Sequence, residues 1–114
     1  MRVLAGIYKS KKIETINSAD TRPMMSKVRE AIFNSIQFMV EEKDVLDLYS
    51  GSGSLGIEAL SRGANYVTFV ELSKECILIL KKNVENMSSN LSDIFSTFFL
   101  SIKMHSLESS TKVT

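Results

Sequence analysis

Apolar residues recur along this chain with two different periods. Val28, Ala31, Ile32, Ser35, Ile36 and Met39 fall at i, i+3, i+4, i+7, i+8 and i+11, which is one stripe of a helix. That helix follows Pro23, takes Ser26 as its N-cap and runs to about Val40, with Lys27, Arg29 and Glu30 off the stripe. Residues 45–49 read as a buried strand, followed by a glycine-rich turn over 50–56. A short helix carrying Ile57, Ala59 and Leu60 then stops near Gly63. Residues 66–70 form a second apolar strand that ends in Glu71. Ser73 caps a further helix in which Ile77, Leu80, Val84 and Met87 share one face. The order β-α-β-α predicts a parallel sheet covered by helices.

The two ends follow other patterns. From Val3 to Tyr8 side chains alternate as in a strand, and a short hairpin with residues 9–12 at or near its turn is expected. Residues 88–114 are rich in Ser and Thr and hold neither Gly nor Pro. Within them 94–102 suits one strand or helix, and the tail from His105 reads as frayed. Three parts result: 1–20 as an N-terminal hairpin, 21–87 as a βα unit, and 88–114 as a divergent tail.

Composition narrows the classes. The 114 residues are 44% hydrophobic, enough for a core, and a formal net charge of +1 excludes a strongly basic nucleic-acid clamp. The uncharged stretch 94–102 is too short to span a bilayer, and no secretory apolar region opens the chain. Cys76 alone makes no internal disulfide and His105 alone leaves no metal cluster. Cys76 reads as a small packed residue, and Phe95, Phe98 and Phe99 as core content before a base-stacking platform. The expectation is a soluble cytoplasmic domain without structural metal.

Candidate chemistry sits in one segment. Gly51, Gly53 and Gly56 give G-x-G-x-x-G between strand and helix, and Glu71 follows Gly51 by twenty residues at the end of the next strand. Glycines let a nucleotide-like ligand approach the backbone, and an acid at that place can accept both hydroxyls of a ribose. Asp47 lies four residues before Gly51, where it would repel a pyrophosphate and attract a cationic amino group. The balance favours S-adenosylmethionine over NAD. An NAD-dependent oxidoreductase fragment stays open on the Gly51–Glu71 spacing.

The residues also resemble a known family. The glycine segment from Asp47 to Gly56 looks like motif I of class I S-adenosylmethionine-dependent methyltransferases. Arg2-Val3-Leu4-Ala5-Gly6 with Tyr8-Lys9, Thr21-Arg22-Pro23, Val28-Arg29-Glu30-Ala31-Ile32-Phe33-Asn34 and Leu55-Gly56-Ile57-Glu58-Ala59-Leu60-Ser61-Arg62-Gly63-Ala64 extend the match. Over about residues 1–87 the chain is similar to bacterial 16S rRNA guanine-N2 methyltransferases of the RsmD type. The resemblance implies an α/β fold, an incomplete class I methyltransferase with a Rossmann-like parallel sheet and an N-terminal β-hairpin. It implies transfer of a methyl group from S-adenosyl-L-methionine to the exocyclic amine of a guanine in 16S rRNA, in the small ribosomal subunit. Asp47, Tyr49, Ser50, Gly51, Ser52, Gly53, Gly56 and Glu71 would bind the cofactor. Arg2, Lys9, Lys11 and Lys12 would meet RNA phosphates, with Thr21, Arg22 and Arg29 near the mouth of the site.

One departure matters. The family's Asp/Asn-Pro-Pro-aromatic tetrapeptide, which orients and stacks the target base, has no counterpart here, because Pro23 is the single proline. No catalytic residue is therefore assigned, and the chain alone is expected to be inactive. Only two core strands are clear, so the strand at 45–49 is expected to keep an open edge. Exposed apolar surface and self-association follow. A non-catalytic RNA- or protein-binding remnant is the other reading left open.

Overall fold

Two short apolar runs, β1 (Asp44–Leu48) and β2 (Tyr66–Val70), pair in parallel, with Asp47 opposite Phe69 and Leu48 opposite Val70. The helix between them, α2 (Ser54–Ser61), makes the crossover and packs on both strands. Before β1 stands α1 (Ser26–Val40), and after β2 comes α3 (Lys74–Met87). A third strand, β3 (Phe99–Lys103), pairs in parallel with β2, giving the order β1-β2-β3 with β1 at an edge. The computed structural model describes residues 1–16, 25–87 and 99–103. Thr21, Arg22, Pro23, Phe95, Phe98 and His105 lie outside the described residues.

The core forms where α2 presses on the sheet. Val67, Phe69, Ile57, Ala59 and Leu60 are buried, joined by Leu80, Val84 and Met87 from the stripe expected on α3. Cys76 is buried and free. The third strand overlaps the stretch 94–102, where one strand or helix is expected, and continues the sheet beside β2.

Three local expectations need correction. Met25, not Ser26, holds the N-cap position of α1, and it makes no side-chain cap. On α1 the buried side chains are Arg29, Phe33 and Val40, while Val28, Ile32 and Met39 of the expected stripe are exposed. Arg29 turns inward, where its guanidinium donates to Arg2 C=O and lies 3.8 Å from the buried Glu58 carboxylate on α2. The helix α2 begins at Ser54, inside the stretch expected to be turn.

The N-terminal residues double back instead of running on as a strand to Tyr8. Arg2 and Lys12 form an antiparallel bridge, Val3 N–H donates to Lys11 C=O (2.9 Å), and Ile13 N–H donates to Met1 C=O (2.8 Å). Glu58 fastens this turn by accepting the N–H groups of Leu4 (2.9 Å) and Ala5 (3.2 Å) and the Arg62 Nε–H (2.8 Å). A carboxylate inside the core is tolerable only with such partners.

Candidate functional site

The glycine loop hangs between the C-terminal ends of β1 and β2, the place where parallel α/β sheets bind ligands. Ser50 ties the two strands together. Its N–H donates to Val70 C=O (3.0 Å), its hydroxyl donates to Asp47 C=O (2.7 Å), and its Oγ accepts Val70 N–H (3.0 Å). Gly53 serves as the N-cap of α2 at φ 86°, and a Cβ there would strike Leu80. Glycine is required on both counts. Gly56, already inside the helix, lies so close to the Phe69 ring that any side chain would collide with it.

Two carboxylates flank the loop. Asp47 is 7% exposed, and its Oδ2 accepts Gly56 N–H at 3.0 Å. Burial pushes the Asp47 carboxyl up to about 6, the Gly56 N–H opposing this and the charge of Glu71 adding to it. Glu71 accepts three backbone N–H groups, from Gly51 through Oε1 and from Leu72 and Ser73 through Oε2, each at 2.8 Å. The last two precede α3, where a negative charge complements the helix dipole. Ser73 Oγ also accepts Cys76 N–H (3.3 Å).

The spacing of Asp47, the glycines and Glu71 thus corresponds to one contiguous site, with Tyr49 exposed at its rim and Ser52 half-buried within it. A Cβ on Gly51 would meet nothing within 4 Å, so the loop is open on that side. The two carboxylates flanking the loop are acceptors, which suits a ligand that donates from hydroxyl and ammonium groups and disfavours a pyrophosphate. S-adenosylmethionine, with a ribose at one end and an amino group at the other, fits this set.

The basic residues behave differently from one another. Lys9 and Lys12 are exposed on the N-terminal turn, and Arg2 Nη1 donates to Ser10 C=O (2.7 Å) at the surface. Lys11 does not reach outward. Its ammonium donates to Met87 C=O (2.9 Å) at the C-terminus of α3 and lies 5.5 Å from the Tyr8 ring centroid. Arg29 is a plain correction: it is 0% exposed, so it lies at no mouth and meets no phosphate. Its Nη2 donates to Arg2 C=O (2.6 Å), while Nη1 stands 3.8 Å from Glu58, too far for a hydrogen bond. Burial lowers the Arg29 pKa, Glu58 opposing this and Arg62 adding to it.

Sequence reasoning missed Glu58 and Asn83. Both are fully buried; Asn83 interrupts the apolar face of α3, which was the available signal, whereas Glu58 shares its face of α2 with Ser54, Ser61 and Arg62 and carries no such signal. Among the described residues no cluster of His, Cys, Asp and Glu could hold a metal ion, and no helix is long and apolar enough to cross a membrane.

Comparison with known proteins agrees with this geometry. A family model described as conserved hypothetical protein 95 matches residues 1–112. Ribosomal RNA small subunit methyltransferase D of Haemophilus influenzae is 41% identical over 87 residues, covering 76% of this chain and 45% of that protein. The solved structure of yhhF from Escherichia coli, described as a candidate methyltransferase, superposes with a TM-score of 0.70 at 28% identity, over 89% of this chain and 51% of that one. An O-methyltransferase from Bacillus cereus in complex with SAH shares the fold at a TM-score of 0.59 and 15% identity, over 80% of this chain and 39% of that one. The chain spans about half the length of the curated relatives it matches. Its fold is that of class I S-adenosylmethionine-dependent methyltransferases, and the chain belongs to the conserved hypothetical protein 95 (RsmD) family.

Proposed function

We propose that these 114 residues form the cofactor-binding half of an S-adenosylmethionine-dependent methyltransferase that acts on the exocyclic amine of a guanine in 16S rRNA. The observation that carries this reading is the pair of carboxylates locked to the glycine loop, Asp47 through Gly56 N–H and Glu71 through Gly51 N–H. In that role Glu71 accepts the ribose hydroxyls and Asp47, ionised, faces the methionine ammonium. Residues 50–53 bring the backbone close to the ligand, with Tyr49 at the rim and Gly56 holding α2 against β2. S-adenosylmethionine, when bound, supplies an electrophilic sulfonium methyl. The chain's share of catalysis is to hold that methyl in line for the incoming amine nitrogen.

The name of the Haemophilus relative supports rRNA as the substrate class, and the exposed Lys9 and Lys12 with Arg2 supply the phosphate-facing charge. The residues that would orient the base are absent from these 114, which hold one proline. The chain therefore binds cofactor without turning over by itself, and it works in the cytoplasm where ribosomal RNA is found.

Calorimetric titration tests the reading directly. Saturable binding of S-adenosylhomocysteine that is lost in Glu71→Ala, with no heat from NAD, is the expected result. Tight NAD binding without S-adenosylhomocysteine binding would replace it with the oxidoreductase reading. RNA binding that survives Glu71→Ala and needs no cofactor would favour a non-catalytic remnant.

A further inference from the structure

Asn83 lies on α3, 0% exposed, and spends its whole amide on two distant stretches of chain. Its Nδ2 donates to Ser52 C=O (2.8 Å) and to Glu14 C=O (2.9 Å), and its Oδ1 accepts Glu14 N–H (2.9 Å). Only a primary amide offers two donors and an acceptor in this arrangement. Aspartate has no donor when ionised, and leucine has neither kind of group.

The Ser52 carbonyl belongs to the same rigid peptide unit as the Gly53 N–H. That N–H donates to Ser50 C=O at 2.8 Å, so the unit is held at its oxygen by Asn83 and at its nitrogen by the loop itself. Gly53 sits at φ 86°, and a glycine in that state can rotate at little cost unless its peptide is pinned. The other contact between Glu14 and α3 is an exposed pair with Lys82 (3.1 Å), a kind of pair that contributes little. Asn83 is thus the buried joint between the glycine loop and the N-terminal segment.

We propose that Asn83 is a positioning residue of the nucleoside site, locking the Ser52–Gly53 peptide and joining it to Glu14, so that a ligand on the loop and order at Glu14 favour each other. The inference rests on the nucleoside-site reading above. Coupling between two places is reciprocal, so a ligand that needs the locked loop also stabilises the bridge to Glu14.

Amide hydrogen exchange on the wild-type chain with and without S-adenosylhomocysteine gives the first readout. The Glu14 amide is expected to slow by at least about fivefold more than the Val3 amide, the lower end of ordinary coupling. Val3 belongs to the same N-terminal turn but bonds Lys11 C=O and not Asn83, so global stabilisation moves both amides alike. Asn83→Asp is expected to weaken S-adenosylhomocysteine by a similar factor or more in protein that retains its near-ultraviolet dichroism. Lys82→Ala, which removes only the exposed pair with Glu14 and touches neither Asn83 nor the loop, leaves that affinity unchanged. Wild-type binding with equal protection at Glu14 and Val3 overturns the inference and leaves the nucleoside site standing. No wild-type binding at all overturns both. Should Asn83→Asp fail to fold, the wild-type exchange result decides alone.

Discussion

Burial holds the Asp47 carboxylate in an unfavourable charge state. Its folded pKa of about 6 stands above the ordinary 3.8, so the folded chain keeps the proton that the unfolded chain has already released. Below pH 3.8 both states are protonated and this cost is absent. It grows as pH rises from 3.8 to about 6 and is constant above, reaching on the order of 3 kcal/mol at about 1.4 kcal/mol per unit. Asp47→Asn keeps an oxygen to accept the Gly56 N–H and removes the charge. The substitution is therefore expected to raise stability at pH 7 and above, with the gain shrinking toward pH 4, while S-adenosylmethionine affinity falls. Urea unfolding of both proteins across that range checks it. A stability difference independent of pH would mean that the buried charge is not its source. Glu71 differs in its partners, because three backbone N–H groups donate to its carboxylate.

Between elements, the tightest approach is that of α2 to β2. Gly56 meets the Phe69 ring and Val67 so closely that Gly56→Ala must displace the ring, at about 1–3 kcal/mol for an overpacked core. Phe69→Leu alone leaves space and also destabilises. The double variant is expected to be more stable than the sum of the two losses allows, since each change relieves the other. Additive losses in a thermal double-mutant cycle would place the Gly56 constraint elsewhere. What the sequence made legible follows the same logic. The strand Tyr66–Val70, the apolar face of α3 and the distance from the glycines to Glu71 are local patterns, and each stands in the structure as it reads in the chain. The buried face of α1 was not legible, because Arg29 meets its partners, Arg2 and Glu58, only across 27 and 29 residues of chain. Lys11 reads in the chain as a phosphate-facing residue of a hairpin turn, whereas α3 brings the Met87 carbonyl to it. Asn83 likewise acquires its partners only when three separate stretches meet.

Across the whole molecule, the two faces of the sheet are unequal. Parallel register puts Val45, Asp47, Val67 and Phe69 on the face that α2 covers, with Val67 and Phe69 fully buried. Leu46 and Leu48 point from the opposite face at 60% and 57% exposure, on a strand with one neighbour among the described residues. Beside that edge, Ile32, Ile36, Val40, Val45 and Leu55 line an apolar groove of about 180 Å³. Parallel sheets are ordinarily covered on both faces, and an apolar strand with unpaired backbone groups is a template for another chain. The expected consequence is reversible self-association that grows with concentration. Sedimentation velocity from micromolar to near-millimolar protein measures it. Leu46→Lys with Leu48→Lys places two charges on the exposed face and none on the face that carries Asp47. The double variant should sediment as a monomer throughout and bind S-adenosylhomocysteine as the parent does. If the parent is also monomeric at every concentration, exposed leucines alone do not drive association. If instead the variant loses the ligand, the bare face and the glycine loop are one cooperative unit, and charge on one side of β1 is felt at the carboxylate on the other.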